Sequence, residues 1–515
     1  MLRRFDVVVI GSGPNGLVAA ALLAKAGRRV VVVERRDVAG GIAAREEFHP
    51  GYRTAGLVHD ASQLAPEVVE ELALAAHGLE LADGPPDLLL LEEEGPGFRL
   101  AHDPEAARAE IAARSPRDAE SYARFREFLG KLAPLARRFL AGEPPDPFAT
   151  DLPGRLRAAR DGLALRRLGR RTMLEVLRIP SMAAADWLSE WFESEALCAA
   201  LAGPALLGSF AGPRSPASAS LVLRRELLAG RVAAKGPGAI ADALTAAARA
   251  HGAELRTASP AEAITVASGR ARGVRLAGGE TIEARAVVAA CDPRTTFLAL
   301  LPDASLPPRF AARLRAWRAE GTVAKVHLAL RGPFAPSGRP GTVARLRTGA
   351  TLGALERAFE PMKYGRAAEA PALDVLVPTA FDESLAPPGH AVVSVLAHGV
   401  PYRLAGGWSG EARERLAEVV VERLERAAPG TQGAIVGLEV LAPVDLETRW
   451  GLPSGHPDHG DQGLDQLLAR PAPECAGHRT PIGGLFLGGM GSWPGGGVTG
   501  LPGRAAARAV LRTRP

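Results

Sequence analysis

The chain opens on an unbroken run of β-branched apolar residues, Asp6-Val-Val-Val-Ile10. A half-exposed strand would alternate with polar residues, so this run predicts a short strand buried on both faces, as in a parallel sheet. Leu17 to Ala26 is apolar nearly all round, which predicts a buried helix, and Gly27 stops it. Val30 to Val33 predicts a second buried strand ending at Glu34. The same pattern returns at the far end, where Gly484-Leu-Phe-Leu-Gly488 reads as a strand and Arg504 to Leu511 as a helix. In the middle, Ala239 to Ala250 has helical spacing, and Ala261 to Ala290 breaks into short strands with a hairpin turn at Gly278-Gly279.

Two long insertions separate these pieces, at about residues 60 to 225 and 300 to 445. The first is rich in Ala, Leu and Arg at helical spacing. Leu156, Ala159, Leu163 and Leu165 run alongside Arg155, Arg157, Arg160, Arg166, Arg167, Arg170 and Arg171. A basic amphipathic helix of this kind presents either a solvated face or a peripheral contact for an anionic membrane. The second insertion carries β-rich runs, Val323 to Leu330 and Ala391 to Ala397, which predict a sheet roofing the pieces that flank it. No solenoid period is present.

The turn between the first strand and helix is Gly11-Ser12-Gly13-Pro14-Asn15-Gly16, a G-x-G-x-x-G in the place a βαβ nucleotide-binding unit requires. Gly11 makes the tight turn, Gly13 lets the backbone approach a pyrophosphate, and Gly16 allows close helix–strand contact. The helix N-terminus then offers free N–H groups to phosphates. Glu34, 18 residues past Gly16, is placed to accept from both hydroxyls of an adenosine ribose. Arg35 and Arg36 suit a 2′-phosphate, but Glu34 would repel one, so they are expected as solvated residues at a strand end. Gly40-Gly41, beginning six residues past Glu34, lets the chain fold back over an adenosine diphosphate.

Composition narrows the field. Of 515 residues, 47% are apolar and 23% charged, ordinary for a globular chain with a large core. Subtracting 57 acidic from 62 basic residues leaves +5, and no basic run is interleaved with aromatics, so no nucleic-acid partner is expected. Cys198, Cys291 and Cys475 lie far apart without a Cys-x-x-Cys pair, which excludes a local zinc knot or redox dithiol and fits a reducing, cytoplasmic compartment. The first apolar run is too short for a signal peptide, and no stretch is long enough to span a bilayer.

A glycine pair after a G-x-G-x-x-G unit is the pattern of the flavoprotein superfamily of amine oxidases, phytoene desaturases and Rab GDP-dissociation inhibitors, which this chain resembles. The match narrows on Gly11-Ser-Gly-Pro-Asn-Gly-Leu-Val-Ala-Ala20, Trp450-Gly-Leu-Pro-Ser-Gly-His-Pro-Asp-His459-Gly and Pro494-Gly-Gly-Gly-Val-Thr-Gly-Leu-Pro-Gly503. These resemble the phytoene desaturase-related branch, close to the pyridine nucleotide-disulfide oxidoreductase domain-containing protein 2 group. Despite that group's name, these cysteines offer no disulfide chemistry. The resemblance implies an α/β, Rossmann-like FAD-binding domain in three parts, residues 1–60, 226–300 and 446–515. An α+β substrate domain is inserted as a helical part, 61–225, and a β-sheet part, 301–445. It implies FAD contacts at Gly11, Ser12, Gly13, Pro14, Asn15, Gly16, Glu34, Arg35, Gly40 and Gly41. Further contacts are implied at Ala261, through its backbone, and at Gly489, Gly496, Gly497 and Val498, whose backbone would lie against a flat ring ahead of a helix N-terminus. Many relatives have Arg after the glycine pair, where this chain has Ile42, and an acid where it has Gly489-Met490, so pyrophosphate and ribityl contacts are expected from backbone groups or from Arg45.

The implied activity is FAD-dependent hydride exchange with an apolar isoprenoid or lipid-like substrate. The low aromatic content, 5%, favours an aliphatic tunnel over an aromatic amine cage. Two other readings share the motifs: a flavin amine oxidase and a non-enzymatic prenyl-lipid carrier. Hydride transfer is the flavin's own chemistry, so no catalytic triad is required. His459 and then His59 are the candidates for a proton donor. His456-Pro-Asp-His459 lacks a third ligand, so no metal is expected.

Overall fold

The computed structural model describes residues 4–92, 97–142, 152–302, 306–336, 343–467 and 469–513. Pieces from both ends of the chain and from its middle build one sheet. Its parallel strands lie in the order Glu254–Arg256, Val30–Val33, Arg4–Ile10, Thr281–Ala289 and Leu485–Leu487. Ile10 stands opposite both Val33 and Ala289, and Val287 opposite Leu485. The antiparallel hairpin of Ala261–Ala267 and Arg270–Leu276 joins the start of the fourth strand.

Alternate side chains go to opposite faces, and both faces are covered. Val7, Val9, Val30, Val32 and Val288 pack beneath the helices Pro14–Lys25, Pro237–Ala250 and Leu501–Arg512. Val8, Ile10, Val31, Val33 and Val287 pack against Phe297, Phe310 and Leu314. A strand buried on both sides needs an apolar residue at every position, which is why these segments show no alternation. The last helix starts at Leu501, three residues before the expected Arg504, because Pro502 fits its first turn, where a missing N–H costs nothing.

The second sheet runs in the order Ile435–Leu441, Val323–Leu330, Ala391–His398, Ala372–Leu376, Arg345–Arg347, Leu88–Leu90 and Phe98–Leu100. It is antiparallel except between Arg345–Arg347 and Leu88–Leu90. Its last two strands come from the first insertion, expected as helical; at three residues each they are too short to show a period. Much of the rest of that insertion is helical, packed round Phe125, Trp187 and Leu197. The helices Leu152–Arg167 and Arg170–Arg178 leave Leu156 and Leu177 mostly exposed, at 57% and 64%.

The two faces of the second sheet differ in kind. Val326, Leu328, Leu346, Val375 and Val395 meet the helix Gly410–Ala427 through Leu416, Val420 and Leu424. The opposite face carries Lys325, His327, Arg345, Arg347, Asp374 and Ser394, all of them buried. A face that is polar and dry must find its partners inside the protein.

Two predictions follow from this packing. A Cβ on Gly503 would lie 1.9 Å from the carbonyl oxygen of Asn15, where the last helix crosses the first. G503A should therefore cost about 1–3 kcal/mol and lower the melting temperature; an unchanged melting temperature would contradict this crossing. Burial also holds the imidazoles of His59 and His398 unprotonated down to about 3 and about 4. Unfolded histidines take up a proton near pH 6.5, so below that pH the unfolded chain binds more protons than the folded one. The stability these residues contribute is complete above about pH 6.5 and is lost as pH falls toward about 4 for His398 and about 3 for His59, each with a slope of up to about 1.4 kcal/mol per pH unit. Denaturant titrations from about pH 7 to pH 5 should show that slope, and H398Q should flatten it by one histidine's share.

Candidate functional site

The site grows out of the first glycine turn. Gly11 leaves the strand at φ +95° with its N–H held by the carbonyl of Val33 at 2.9 Å. A Cβ at Gly16 would lie 2.0 Å from the carbonyl oxygen of Gly11, so the helix can start here only on glycine. At Gly13 a Cβ would meet no protein atom, because that residue faces an open cleft. Glu34 is 7% exposed, and its Oε2 accepts from both the backbone N–H and the hydroxyl of Ser12 at 2.8 Å, while Oε1 accepts from the N–H of Arg36 at 3.0 Å. These bonds fix the carboxylate at the end of its strand and leave lone pairs for further donors.

The cleft has a volume of about 450 Å³. Gly11, Gly13, Pro14, Asn15, Gly16, Glu34, Arg35, Gly41 and Ala261 line it from the first and middle pieces, and Met490, Gly497 and Val498 line it from the last. Ser12 lies beneath, bonded to Glu34, and Gly40 donates its N–H to the Ser12 carbonyl at 2.9 Å. Gly489 packs on the carbonyl of Ala290. Arg224 holds the glycine segment from outside, donating to the carbonyls of Pro494, Gly495 and Gly496 at 3.2, 2.8 and 3.3 Å. Arg45 is not among the residues lining the cleft. Its guanidinium is spent on Asp382 at 2.8 Å, Asp242 at 3.3 Å and the Lys235 carbonyl at 3.2 Å. Arg36, expected as solvated, is instead paired with Glu46 and lies over the Trp450 ring, and the exposed Arg35 donates to the Thr448 carbonyl.

At Met490, Gly497 and Val498 the cleft adjoins a second chamber of about 150 Å³, roofed by the polar face of the second sheet. Leu57, Leu207, Leu221, Leu396 and Leu446 supply its aliphatic wall, and His59, Asp60, Arg225, Arg345 and Asp374 its polar one. Behind His59, the Lys325 ammonium nitrogen lies 2.6 Å from His59 Nε2 and donates to the Leu57 carbonyl at 2.8 Å. With Nε2 accepting, the imidazole proton sits on Nδ1, which faces Asp374 at 3.7 Å. Burial pushes Lys325 well below the ordinary lysine range, and neighbouring arginines hold the Asp374 carboxylate well below its own. A still larger outer cavity, about 720 Å³, adjoins the chamber at Gln63, Pro204, Arg225 and Arg345.

His459 lines the cleft and His59 the chamber, so the two candidates stand on opposite sides of the Gly497 segment. Burial pushes His459 down to about 4, so at neutral pH it carries a single ring proton. His456 faces Asp461 at 3.4 Å, and among the described residues no group of three His, Cys, Asp or Glu side chains could hold a metal. The three cysteines are free, and burial raises their thiols, Cys291 to about 11. No helix among the described residues is long and apolar enough to cross a membrane.

The residues present fit an adenine-dinucleotide flavin. The cleft offers an anchored carboxylate at one end, a glycine turn and helix N-terminus in the middle, and a glycine backbone at the other end. Asn15 Oδ1 is buried beside the turn without a partner. Sequence reasoning missed Lys325, Arg345, Arg347 and Asp374. The signal was there for Lys325 and Asp374, each the single charged residue of a largely apolar strand, as in Val323-Ala-Lys-Val-His-Leu328; Arg345 and Arg347 flank one leucine in a three-residue strand too short to show a period.

Known proteins are similar to this chain over nearly its whole length. A rat protein, pyridine nucleotide-disulfide oxidoreductase domain-containing protein 2, is 36% identical over 99% of this chain and 94% of its own length. A zeta-carotene-forming phytoene desaturase of Myxococcus xanthus is 29% identical over 96% of this chain and 91% of its own. Among solved structures, an oxidoreductase from Methanosarcina mazei shares the fold with a TM-score of 0.58 at 16% identity, covering 99% of this chain and 100% of that one. The family of flavin-containing amine oxidoreductases matches residues 15–511. The chain belongs to that family and is a flavin-dependent oxidoreductase.

Proposed function

We propose that this chain is an FAD-dependent oxidoreductase of the phytoene-dehydrogenase type, exchanging hydride between flavin N5 and an apolar isoprenoid or lipid-like substrate in a desaturation, saturation or isomerisation. The observation that carries the reading is that Glu34 and the pair Gly497-Val498 line one cleft, and that the Gly497 end of this cleft adjoins a chamber with an aliphatic wall. FAD, when bound, supplies a centre that takes up and returns hydride. The chain's own residues bind, orient and keep out water. Glu34 would hold the ribose of a bound FAD, while Gly13 and the N-terminus of the helix Pro14–Lys25 would meet its diphosphate, all of them lining the cleft. Leu57, Leu221, Leu396 and Val498 hold an aliphatic group beside the glycine segment. His59 Nδ1 is the position at which a proton is held facing Asp374.

No Phe, Tyr or Trp lines the chamber among the described residues, which supports an aliphatic substrate over an amine held in an aromatic cage. The outer cavity includes Arg137 and Ala141, at the end of a helix whose neighbour, Leu152–Arg167, carries the exposed Leu156 and many arginines. This arrangement suits delivery of a lipid-like molecule from an anionic bilayer.

The purified protein should be yellow, bleach under dithionite and release FAD on denaturation. E34Q should fold but bind FAD roughly tenfold more weakly, as expected for one lost hydrogen bond to a charged group. Protein that stays colourless in excess FAD would overturn the reading in favour of a carrier, and peroxide formation on a panel of amines would overturn it in favour of an amine oxidase.

A further inference from the structure

The neck between the chamber and the outer cavity holds a connected set of charges. Arg225 pairs with Asp60 at 3.0 Å and Glu226 at 3.3 Å, and Glu226 also takes Arg126 at 2.9 Å. Arg345 and Arg347 stand two positions apart on one strand, hence on one face, and each reaches Asp374 Oδ2 at 3.1 Å. Asp60 and Arg345 feel one another's charge across the neck. Arg126, Arg225, Arg345 and Arg347 therefore share only Asp60, Glu226 and Asp374, and one positive charge is left over. His59 is neutral and does not change that count, and any charge carried by Lys325, which burial pushes down from the ordinary lysine range, would only add to the excess.

The excess is concentrated on Arg347. Its side chain is 4% exposed and lines the outer cavity beside the neck. One amino group serves Asp374, while Nε and Nη1 are buried without a partner. Leaving a charged donor dry and unpaired costs more than leaving a neutral one, so an acceptor arriving from outside would relieve that cost. An anion at this neck would meet unsatisfied guanidinium N–H groups in a low-dielectric surrounding, where a charge-assisted hydrogen bond is strong. Aliphatic side chains stand on either side, Leu57, Leu221 and Leu396 toward the glycine segment and Leu88, Leu100 and Leu201 toward the outside, where Glu67, Glu70 and Asp83 line the outer cavity as well.

We propose that the substrate is an aliphatic carboxylate whose acid group seats on the unpartnered N–H groups of Arg347, beside Arg345, with its carbon chain running into the chamber toward Met490 and Val498. This rests on the reading that the chamber receives substrate, and it adds a charged end to the apolar molecule proposed there. The arginine neck would then set the register of the chain, deciding which carbon lies against the glycine segment.

The test uses FAD-loaded protein and octanoate, with 1-octanol and acetate as controls, read by calorimetry and by the change in the flavin absorbance spectrum. Octanoate should bind at least about tenfold more tightly than 1-octanol, the weight of one charged hydrogen bond, and should perturb the flavin. R347M should remove that preference while leaving the octanol affinity and the FAD content unchanged, and R347K should restore part of it. Equal binding of octanoate and octanol by the wild type overturns the proposal, whether or not R347M folds. A preference that survives in R347M overturns it as well. Acetate binding as tightly as octanoate would mark a general anion hole and overturn the assignment to substrate. FAD content is measured separately, so protein that takes up no FAD but still prefers octanoate would sink the oxidoreductase reading and leave the acid seat standing.

Discussion

The site depends on one strand pairing. Leu485–Leu487 adds to the edge of Thr281–Ala289, which lies beside Arg4–Ile10, and the N–H of Gly488 continues the ladder onto the Ala289 carbonyl at 2.8 Å. Val287 and Leu485 are 198 residues apart; closing so long a loop carries a cost, but the cost grows only slowly with length, and the second insertion, which lies between the two strands, forms a core of its own. Once the last strand docks, the glycine segment that follows it is delivered to the cleft that Glu34 closes at the other end. The last helix then packs over the first, its close approach permitted by the missing side chain of Gly503. Cofactor cleft and core are thus one construction, and what loosens the last strand loosens both.

The second constraint is the two-sided roof. Period-2 alternation places Val326, Val375 and Val395 against a helix and Lys325, Asp374 and Ser394 over the chamber. Burying so many polar groups on one sheet face is tolerable because most of them pair with one another, with Nε and Nη1 of Arg347 left over. Asp374 draws in Arg345, Arg347 and His59, and His59 in turn takes Lys325. Their joint effect is a chamber whose floor is backbone and aliphatic and whose roof is electrostatically stiff. Such an arrangement orients a bound molecule without reorganising as it reacts.

The nucleotide-binding half was legible in the sequence because its signals are local. A buried parallel strand, a glycine turn and an acid at fixed spacing need no knowledge of the rest of the chain, and Val30–Val33 and Ala261–Ala267 fall where the pattern puts them. The roof strands Val323–Leu330 and Ala391–His398 were equally readable as strands. Their pairings were not. Lys325 and His59 are 266 residues apart, and Arg345 and Asp374 meet only because their strands share a register. Arg45 shows the same gap from the other side: a long arginine near the glycine pair has several anions within reach, and Asp382 won over a phosphate role. Leu88–Leu90, too short to carry a period, acquires its identity as a strand only from the edge it joins.

The claim that both ends of the chain enclose a single flavin is tested most directly by a crystal structure of the FAD-reconstituted protein. The account predicts the adenosine ribose on Glu34 and the isoalloxazine ring between Gly497-Val498 and the chamber beneath His59. A ring lying outside that junction, or a nucleotide bound without contact to the last glycine segment, would contradict it.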